Sequence, residues 1–371
     1  MRSNKWLAVA SASALALGVA ACGSSSDNTT TSSGGSASSS GGSSVTATLN
    51  GAGSTFAAPI YQQVAGTLKG QGLTVNYQGV GSGAGISQLQ AGTVDFAGSD
   101  PALATADTAK LKGPALQIPI ALGAITVSYK LNGVKSGLKL DGATIADIYL
   151  GKVKKWNDPA IAKLNSGVSL PGTAITVVHR SDSSGTTKGF TQFLADYSPA
   201  WKSDPGVDKD IKWPTGTGAK GNDGVAGQVK QTDGSIGYVE QAYALQNGFT
   251  FADVKNKSGA FIAPTIESTS AAGEGLTVPA DLGISTIDAP GAKAYPIVSQ
   301  TFLDFEKDPC KAGKSKNVAQ GLAAFAKYLV GAEGQDTIKK LSYAPLPAEL
   351  QTKAQAATGT VVCNGSAVSG A

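Results

Sequence analysis

The chain has 371 residues, 41% of them hydrophobic and only 15% charged, with 48 glycines, one histidine and a formal net charge of +4. A single histidine rules out a His-rich metal site or a multi-histidine enzyme, and scattered lysines at so small a net charge lack the electrostatic footprint of a nucleic-acid binder. The length suits one large domain or two of ordinary size, and the excess of glycine is what calls for a functional explanation.

Arg2 and Lys5 precede an uncharged apolar stretch, Trp6 to Ala21, which reads as a signal peptide over residues 1–21. The stretch is too rich in alanine and too short for a membrane span, which needs roughly 20 strongly apolar residues. Val19-Ala20-Ala21-Cys22 resembles a bacterial lipobox and predicts acylation of Cys22. The chain is then an extracytoplasmic lipoprotein anchored to the cell membrane through that residue. An ordinary signal peptide with an incidental cysteine is the alternative. Residues 22–48 are assigned to a tether, because Gly23 to Ser44 is almost wholly Ser, Gly and Thr and cannot bury enough apolar surface to fold. The change of composition at Val45 marks the start of the folded body. With Cys22 acylated, Cys310 and Cys363 remain as a pair in an exported chain; a disulfide is the economical reading, two free thiols the alternative.

From Val45 onward β-branched runs alternate with segments of helical period, the pattern of an α/β fold. The strand Val45–Leu49 leads through Asn50-Gly51-Ala52-Gly53-Ser54-Thr55-Phe56 into a helix carried by Ile60, Val64 and Leu68. Leu73–Tyr77 is followed by Gln78 to Gly85 and a short helix through Ile86 and Leu89, with Ser82 where that helix begins. A third strand, Thr93–Ser99, ends at Asp100-Pro101, a sequence that starts helices and makes Asp100 a candidate N-cap. The strand Ile175–His179 runs through Arg180-Ser181-Asp182-Ser183-Ser184-Gly185-Thr186 into a helix with Phe190, Phe193, Leu194 and Tyr197 on one face. Helix N-termini preceded by glycine and hydroxyl residues attract anions through unpaired N–H groups and the helix dipole. Four such turns, one carrying Arg180 with its planar fork of donors, predict a site for a compact tetrahedral oxyanion.

Two lookalike motifs fail on spacing. Gly79, Gly81 and Ala84 approximate a dinucleotide fingerprint, but the following helix is short and no acidic residue ends a second strand at the required distance. Gly313-Lys314-Ser315 resembles the end of a P-loop, but position 308 is Asp and no strand leads into it, so a solvated loop is expected.

The runs Gly51 to Pro59, Asn76 to Gly83, Val94 to Asp100 and Arg180 to Thr186 together resemble the phosphate-binding subunit of the bacterial phosphate ABC importer, as do Lys220 to Ala226 and Gly234 to Glu240. The similarity extends from about residue 49 to 350. It implies a periplasmic-binding-protein fold of type II with two lobes, 49–122 plus 297–371 and 123–296, joined by a two-crossing hinge near Leu122-Gly123 and Tyr295-Pro296. It implies inorganic phosphate in the interlobe cleft, held by Thr55, the backbone N–H of Phe56, Ser82, Asp100, Arg180, Ser184, Gly185 and Thr186. It also implies delivery to a membrane permease driven by an ATPase, by a monomeric receptor that needs no cofactor and no metal. Ser183 and Gly83 stand where Gly and Ser also occur in the family, without affecting a side-chain contact.

Asp100 is the acceptor for the proton that phosphate still carries near neutral pH, and Asp182 is expected to brace Arg180, with a turn or cap as its alternative role. Asn222-Asp223-Gly224 reads as a further turn before a helix, able to brace the cleft without touching phosphate, and the sequence leaves open whether Asn222 and Asp223 touch the ligand. Trp156, Trp201 and Trp213 are expected to pack, and His179 to be a structural histidine. A sulfate or molybdate receptor of the same fold is the near rival. A hydrolase using Ser184, His179 and Asp182 is remote, since a strand-end histidine and a helix-start serine are poorly placed to meet and no G-x-S-x-G elbow is present.

Overall fold

The computed structural model describes residues 45–368; the signal peptide, Cys22 and most of the tether lie outside the described residues. The chain begins with β1 (Ala47–Gly53), α1 (Ala58–Lys69), β2 (Leu73–Gly79), α2 (Ser82–Ala91), β3 (Phe96–Ser99), α3 (Thr105–Thr108) and β4 (Ala115–Lys130). It continues with β5 (Lys139–Leu140), α4 (Gly142–Tyr149), α5 (Pro159–Ala162), β6 (Thr176–Arg180), α6 (Gly185–Tyr197), α7 (Pro199–Ser203), β7 (Thr217–Ala219) and α8 (Gly221–Gln231). Next come β8 (Ser235–Glu240), α9 (Gln241–Gln246), β9 (Thr250–Phe251), β10 (Asp253–Lys255), β11 (Phe261–Ile262) and α10 (Ile266–Ala271). Last are β12 (Val298–Glu306), α11 (Lys316–Val330), α12 (Ala332–Lys340), α13 (Ala348–Thr358) and the hairpin of β13 (Val362–Cys363) and β14 (Ser366–Ala367).

The main sheet has the order β2-β1-β3-β12-β4-β8-β6-β7, with β9 pairing to β4. β1 is parallel to β2 and β3, β12 is antiparallel to β3 and β4, and β6 is parallel to β7 and β8. The long strand β4 joins two halves. Its residues Ala115 to Ala124 pair with β12, and from Ile125 to Lys130 it pairs with β8. Its continuous apolar run, buried from Ile118 to Tyr129, is what a strand covered on both faces requires.

Helices cover both faces of each half. In β1, Ala47 and Leu49 join the core packed by Ile60 and Val64 of α1, while Ala52, of opposite parity, packs with Leu89 of α2. In β6, Val177 shares a core with Phe190 of α6, and Val178 one with Val225 and Val229 of α8. The carboxyl ends of β1, β3, β6 and β7 therefore open into loops that feed helices or the site itself, the usual ligand position in α/β sheets.

One expectation is corrected. No helix starts at Pro101: the next one, α3, begins at Thr105 and has four residues, because the Asp100 carboxylate accepts from Thr301 Oγ1 at 3.3 Å instead of capping a first turn. The Gly313-Lys314-Ser315 segment is a loop with Gly313 and Ser315 exposed, as expected, but its lysine is engaged. Lys314 Nζ lies 2.9 Å from Asp95 Oδ1 and donates to the carbonyls of Gly92 and Val94, and Ser315 caps α11. Cys310 and Cys363 are disulfide-bonded, and Asp308 accepts the N–H groups of Asn364 and Gly365, so the terminal hairpin is tied to the loop after β12.

Candidate functional site

The site is built where strands end. Beyond β1, Thr55 is 5% exposed and Phe56 is buried, its side chain in the core and its carbonyl accepting from Tyr343 Oη at 2.6 Å. Beyond β2, Ser82 occupies the first position of α2, and its Oγ is buried with no hydrogen-bond partner among the described residues. Beyond β3, Asp100 is 1% exposed; Oδ1 takes the Thr301 hydroxyl, and Oδ2 has no partner within hydrogen-bond geometry among the described residues. α1, α2 and α8 have no side-chain hydrogen bond from their N-cap residues; their first N–H groups go instead to partners elsewhere, Ala58 to the Thr55 carbonyl, Gly83 to the Ser183 carbonyl and Gly221 to Asp182.

From the other half comes Arg180, at the end of β6 and 2% exposed. Its Nε donates to Asp182 Oδ1 at 2.7 Å and its terminal nitrogen to Asp182 Oδ2 at 2.5 Å, a forked pair that fixes the guanidinium plane. Asp182 Oδ1 also accepts Gly221 N–H at 3.0 Å. Burial works to raise the Asp182 carboxyl, but the hydrogen bonds and charge of Arg180 hold it below the ordinary carboxylate range. The remaining guanidinium nitrogen reaches Thr186 Oγ1 at 3.4 Å. Ser184 caps α6 by accepting Thr187 N–H, and its own N–H goes to the Lys209 carbonyl. Only its hydroxyl hydrogen is left to donate.

The halves touch across this point. Gly83 N–H donates to the Ser183 carbonyl at 3.1 Å, and Tyr243 Oη donates to the Thr55 carbonyl at 2.7 Å. A β-carbon built on Gly185 would collide with the Asp100 carbonyl and carboxylate oxygens. Glycine here lets the start of α6 lie directly against the acid. Gly81, with φ +94°, faces Asp182 and Ser183 in the same way. Burial pushes the Asp100 carboxyl up to about 6, against the opposing pull of the Ser54 and Thr301 hydroxyls and the Arg180 charge. Asn222 thus joins Thr55 to Thr186, Thr186 meets Arg180, and Gly185 lies against Asp100, all of them buried.

Asn222 contributes more than a turn. It is fully buried, its N–H and Nδ2 both donate to Thr55 Oγ1, at 3.1 and 2.9 Å, and Nδ2 also reaches Thr186 Oγ1 at 3.3 Å. Thr301, 201 residues beyond Asp100, carries no local signal in the sequence. His179 Nδ1 pairs with the Arg180 carbonyl at 2.9 Å, and its ring stacks on Trp213 with centroids 4.5 Å apart. No hydrogen bond joins it to Ser184 or Asp182 among the described residues. Trp156 and Trp201 are buried in the core. Among the described residues no group of three or more His, Cys, Asp or Glu side chains is placed to hold a metal ion.

Residues 38–333 match the PBP superfamily domain. The chain is 42% identical to the phosphate-binding protein PstS of Pasteurella multocida over 319 residues, covering 85% of this chain and 91% of the relative. The chain belongs to the phosphate-binding protein family of the PBP superfamily. Other members include phosphate-binding protein PstS of Haemophilus influenzae, 40% identical over 82% of this chain and 90% of its own. Phosphate-binding protein PstS 3 of Mycobacterium tuberculosis is 36% identical over 85% and 86%. The fold is that of PfluDING, a periplasmic phosphate-binding protein solved with phosphate, at a TM-score of 0.68 and 23% identity over 84% of this chain and 93% of that one. A phosphate-binding protein from Stenotrophomonas maltophilia gives a TM-score of 0.65 at 21% identity over 87% and 97%.

Proposed function

We propose that this protein is an extracytoplasmic receptor that encloses inorganic phosphate between its two halves and hands it to a phosphate ABC permease. The observation that carries the reading is a buried carboxylate, Asp100, whose Oδ2 has no hydrogen-bond partner among the described residues and which lies against the start of α6, within reach of the charge of buried Arg180. A donor-only site would suit any tetrahedral oxyanion. The carboxylate adds an acceptor for the proton that phosphate retains near neutral pH, which sulfate lacks. A sulfate ion would face Asp100 across lone-pair repulsion with a buried group unsatisfied, a penalty on the order of several kcal/mol.

The phosphate contacts on this reading are Thr55, Phe56 through its N–H, Ser82, Asp100, Arg180, Ser184, Gly185 and Thr186, with Asp182 holding Arg180. The lobes are 49–122 plus 297–371 and 123–296; the change of β4 from pairing with β12 to pairing with β8 between Ala124 and Ile125 supports a hinge there. Anchoring through an acylated Cys22 and delivery to a permease with its ATPase complete the assignment. Catalysis has no support in the contacts: Ser184 is occupied as a helix cap, and His179 is held by the Arg180 carbonyl and Trp213.

Equilibrium dialysis with labelled phosphate tests the reading. Stoichiometric retention of unchanged phosphate is expected, with millimolar sulfate failing to displace it. Asp100→Asn should narrow the preference for phosphate over sulfate by tenfold or more, roughly what removing one hydrogen bond to a charged group entails. Displacement by sulfate as effective as by phosphate itself, or turnover of a phosphate ester lost in Ser184→Ala, would overturn it.

A further inference from the structure

A hydroxyl group has one hydrogen to donate and two lone pairs with which to accept. Thr55 Oγ1 receives two donors from Asn222, the backbone N–H at 3.1 Å and Nδ2 at 2.9 Å. Thr186 Oγ1 likewise receives two, Nδ2 of Asn222 at 3.3 Å and a guanidinium nitrogen of Arg180 at 3.4 Å. With both lone pairs engaged, each hydroxyl hydrogen must point away from its donors. The other end of the amide is fixed as well, since Asn222 Oδ1 accepts the Glu240 N–H at 2.9 Å and so sets which end of the side chain faces the threonines. Thr55 belongs to the half that contains β1, and Asn222 and Thr186 to the half that contains β6. The same amide therefore crosses the cleft, and the Thr55 oxygen serves as a cap for α8, which has no side-chain hydrogen bond from its own N-cap.

We propose that Asn222 is the positioning residue of the anion site: it turns the Thr55 and Thr186 hydroxyls into donors that point at the ligand, and it clasps the two halves when the ligand is enclosed. This rests on the phosphate reading above. An acceptor at the same place would reverse the two hydroxyls and leave the anion facing their lone pairs.

The test is a thermodynamic cycle of phosphate affinity by titration calorimetry, with Asn222→Ala made in the native protein and in a Thr55→Val/Thr186→Val background. Ligand-free melting of each variant verifies that it folds. If Asn222 acts through the two hydroxyls, its removal weakens phosphate about tenfold in the native background and less than about twofold where they are absent, because interacting residues are not additive. A residue needed only for the stability of α8 gives the same loss in both backgrounds, which overturns the inference while leaving the phosphate reading intact. Failure of the native protein to bind phosphate overturns that reading and the inference together. Should Asn222→Ala not fold, Asn222→Asp takes its place in the cycle, since it keeps the volume and the acceptor for Glu240 N–H. Its loss of affinity should then exceed the loss in the valine background by at least about threefold, the charge effect common to both backgrounds cancelling; equal losses overturn the inference.

Discussion

At the scale of single residues, Asp100 has a second buried acid near enough to feel its charge. Asp304 of β12 is fully buried, with Oδ2 accepting the Ser99 hydroxyl at 2.5 Å and Oδ1 without a partner among the described residues. Burial pushes its carboxyl up to about 8, with the Asp100 charge adding to the effect. In the unfolded chain the same group releases its proton near 3.8, so the folded state binds more protons between these values and stability falls as pH rises through that window. Asp304→Asn should flatten this slope, so that the variant gains stability relative to the native protein as pH rises from 5 to 8. Urea unfolding of the ligand-free protein at pH 5 and pH 8 measures it, and an unchanged slope would show that Asp304 ionises as an ordinary carboxyl.

Between elements, one loop does two things. The segment joining α7 to β7 places the Lys209 carbonyl under Ser184 N–H at 2.9 Å, which positions the start of α6. Its side chain reaches Asp107 of α3 at 3.0 Å, an ion pair with side-chain exposures of 16% and 22% that spans the two halves at the edge of the site. Burial tends to raise the Asp107 carboxyl, but the hydrogen bond and charge of Lys209 leave it lowered. Lys209→Ala should weaken phosphate by about 1.4- to fivefold, in keeping with about 0.2–1 kcal/mol for a partly exposed pair. The loss should shrink at high salt, where such pairs are screened. Stopped-flow dissociation at low and high ionic strength reads both effects, with the change expected in the off-rate.

For the molecule as a whole, the contacts across the site require the halves to be close. Thr55 with Asn222, Thr55 with Tyr243, Gly83 with Ser183 and Asp107 with Lys209 all form together. On the proposed reading, a ligand completed by residues from both halves would bind this arrangement better than a parted one and shift the population towards it. Small-angle scattering should show a smaller radius of gyration with phosphate than without; superimposable profiles would exclude closure about the β4 region.

Much of this was legible in the residues themselves. The glycine- and hydroxyl-rich turns after the strands that end near Gly53, Gly79 and Arg180 mark helix starts, because only small residues let backbone N–H groups approach an anion, and the order of these motifs identifies the family. Ser82 at the head of α2 and Ser184 at the head of α6 follow from local chain geometry alone. What local chemistry misreads is decided by partners distant in sequence. Asp100-Pro101 has the form of a helix start, yet Thr301 on β12 claims the carboxylate. Lys314 has the form of a solvated lysine, yet Asp95 lies beside it. Asn222 has the form of a turn residue, yet it holds a threonine 167 positions away. The sequence by itself determines which backbone groups are offered to an anion, since that depends on neighbours along the chain. Only the tertiary structure decides which way the hydroxyls point and which acids keep their protons, since both depend on burial and on donors brought from the other half of the molecule.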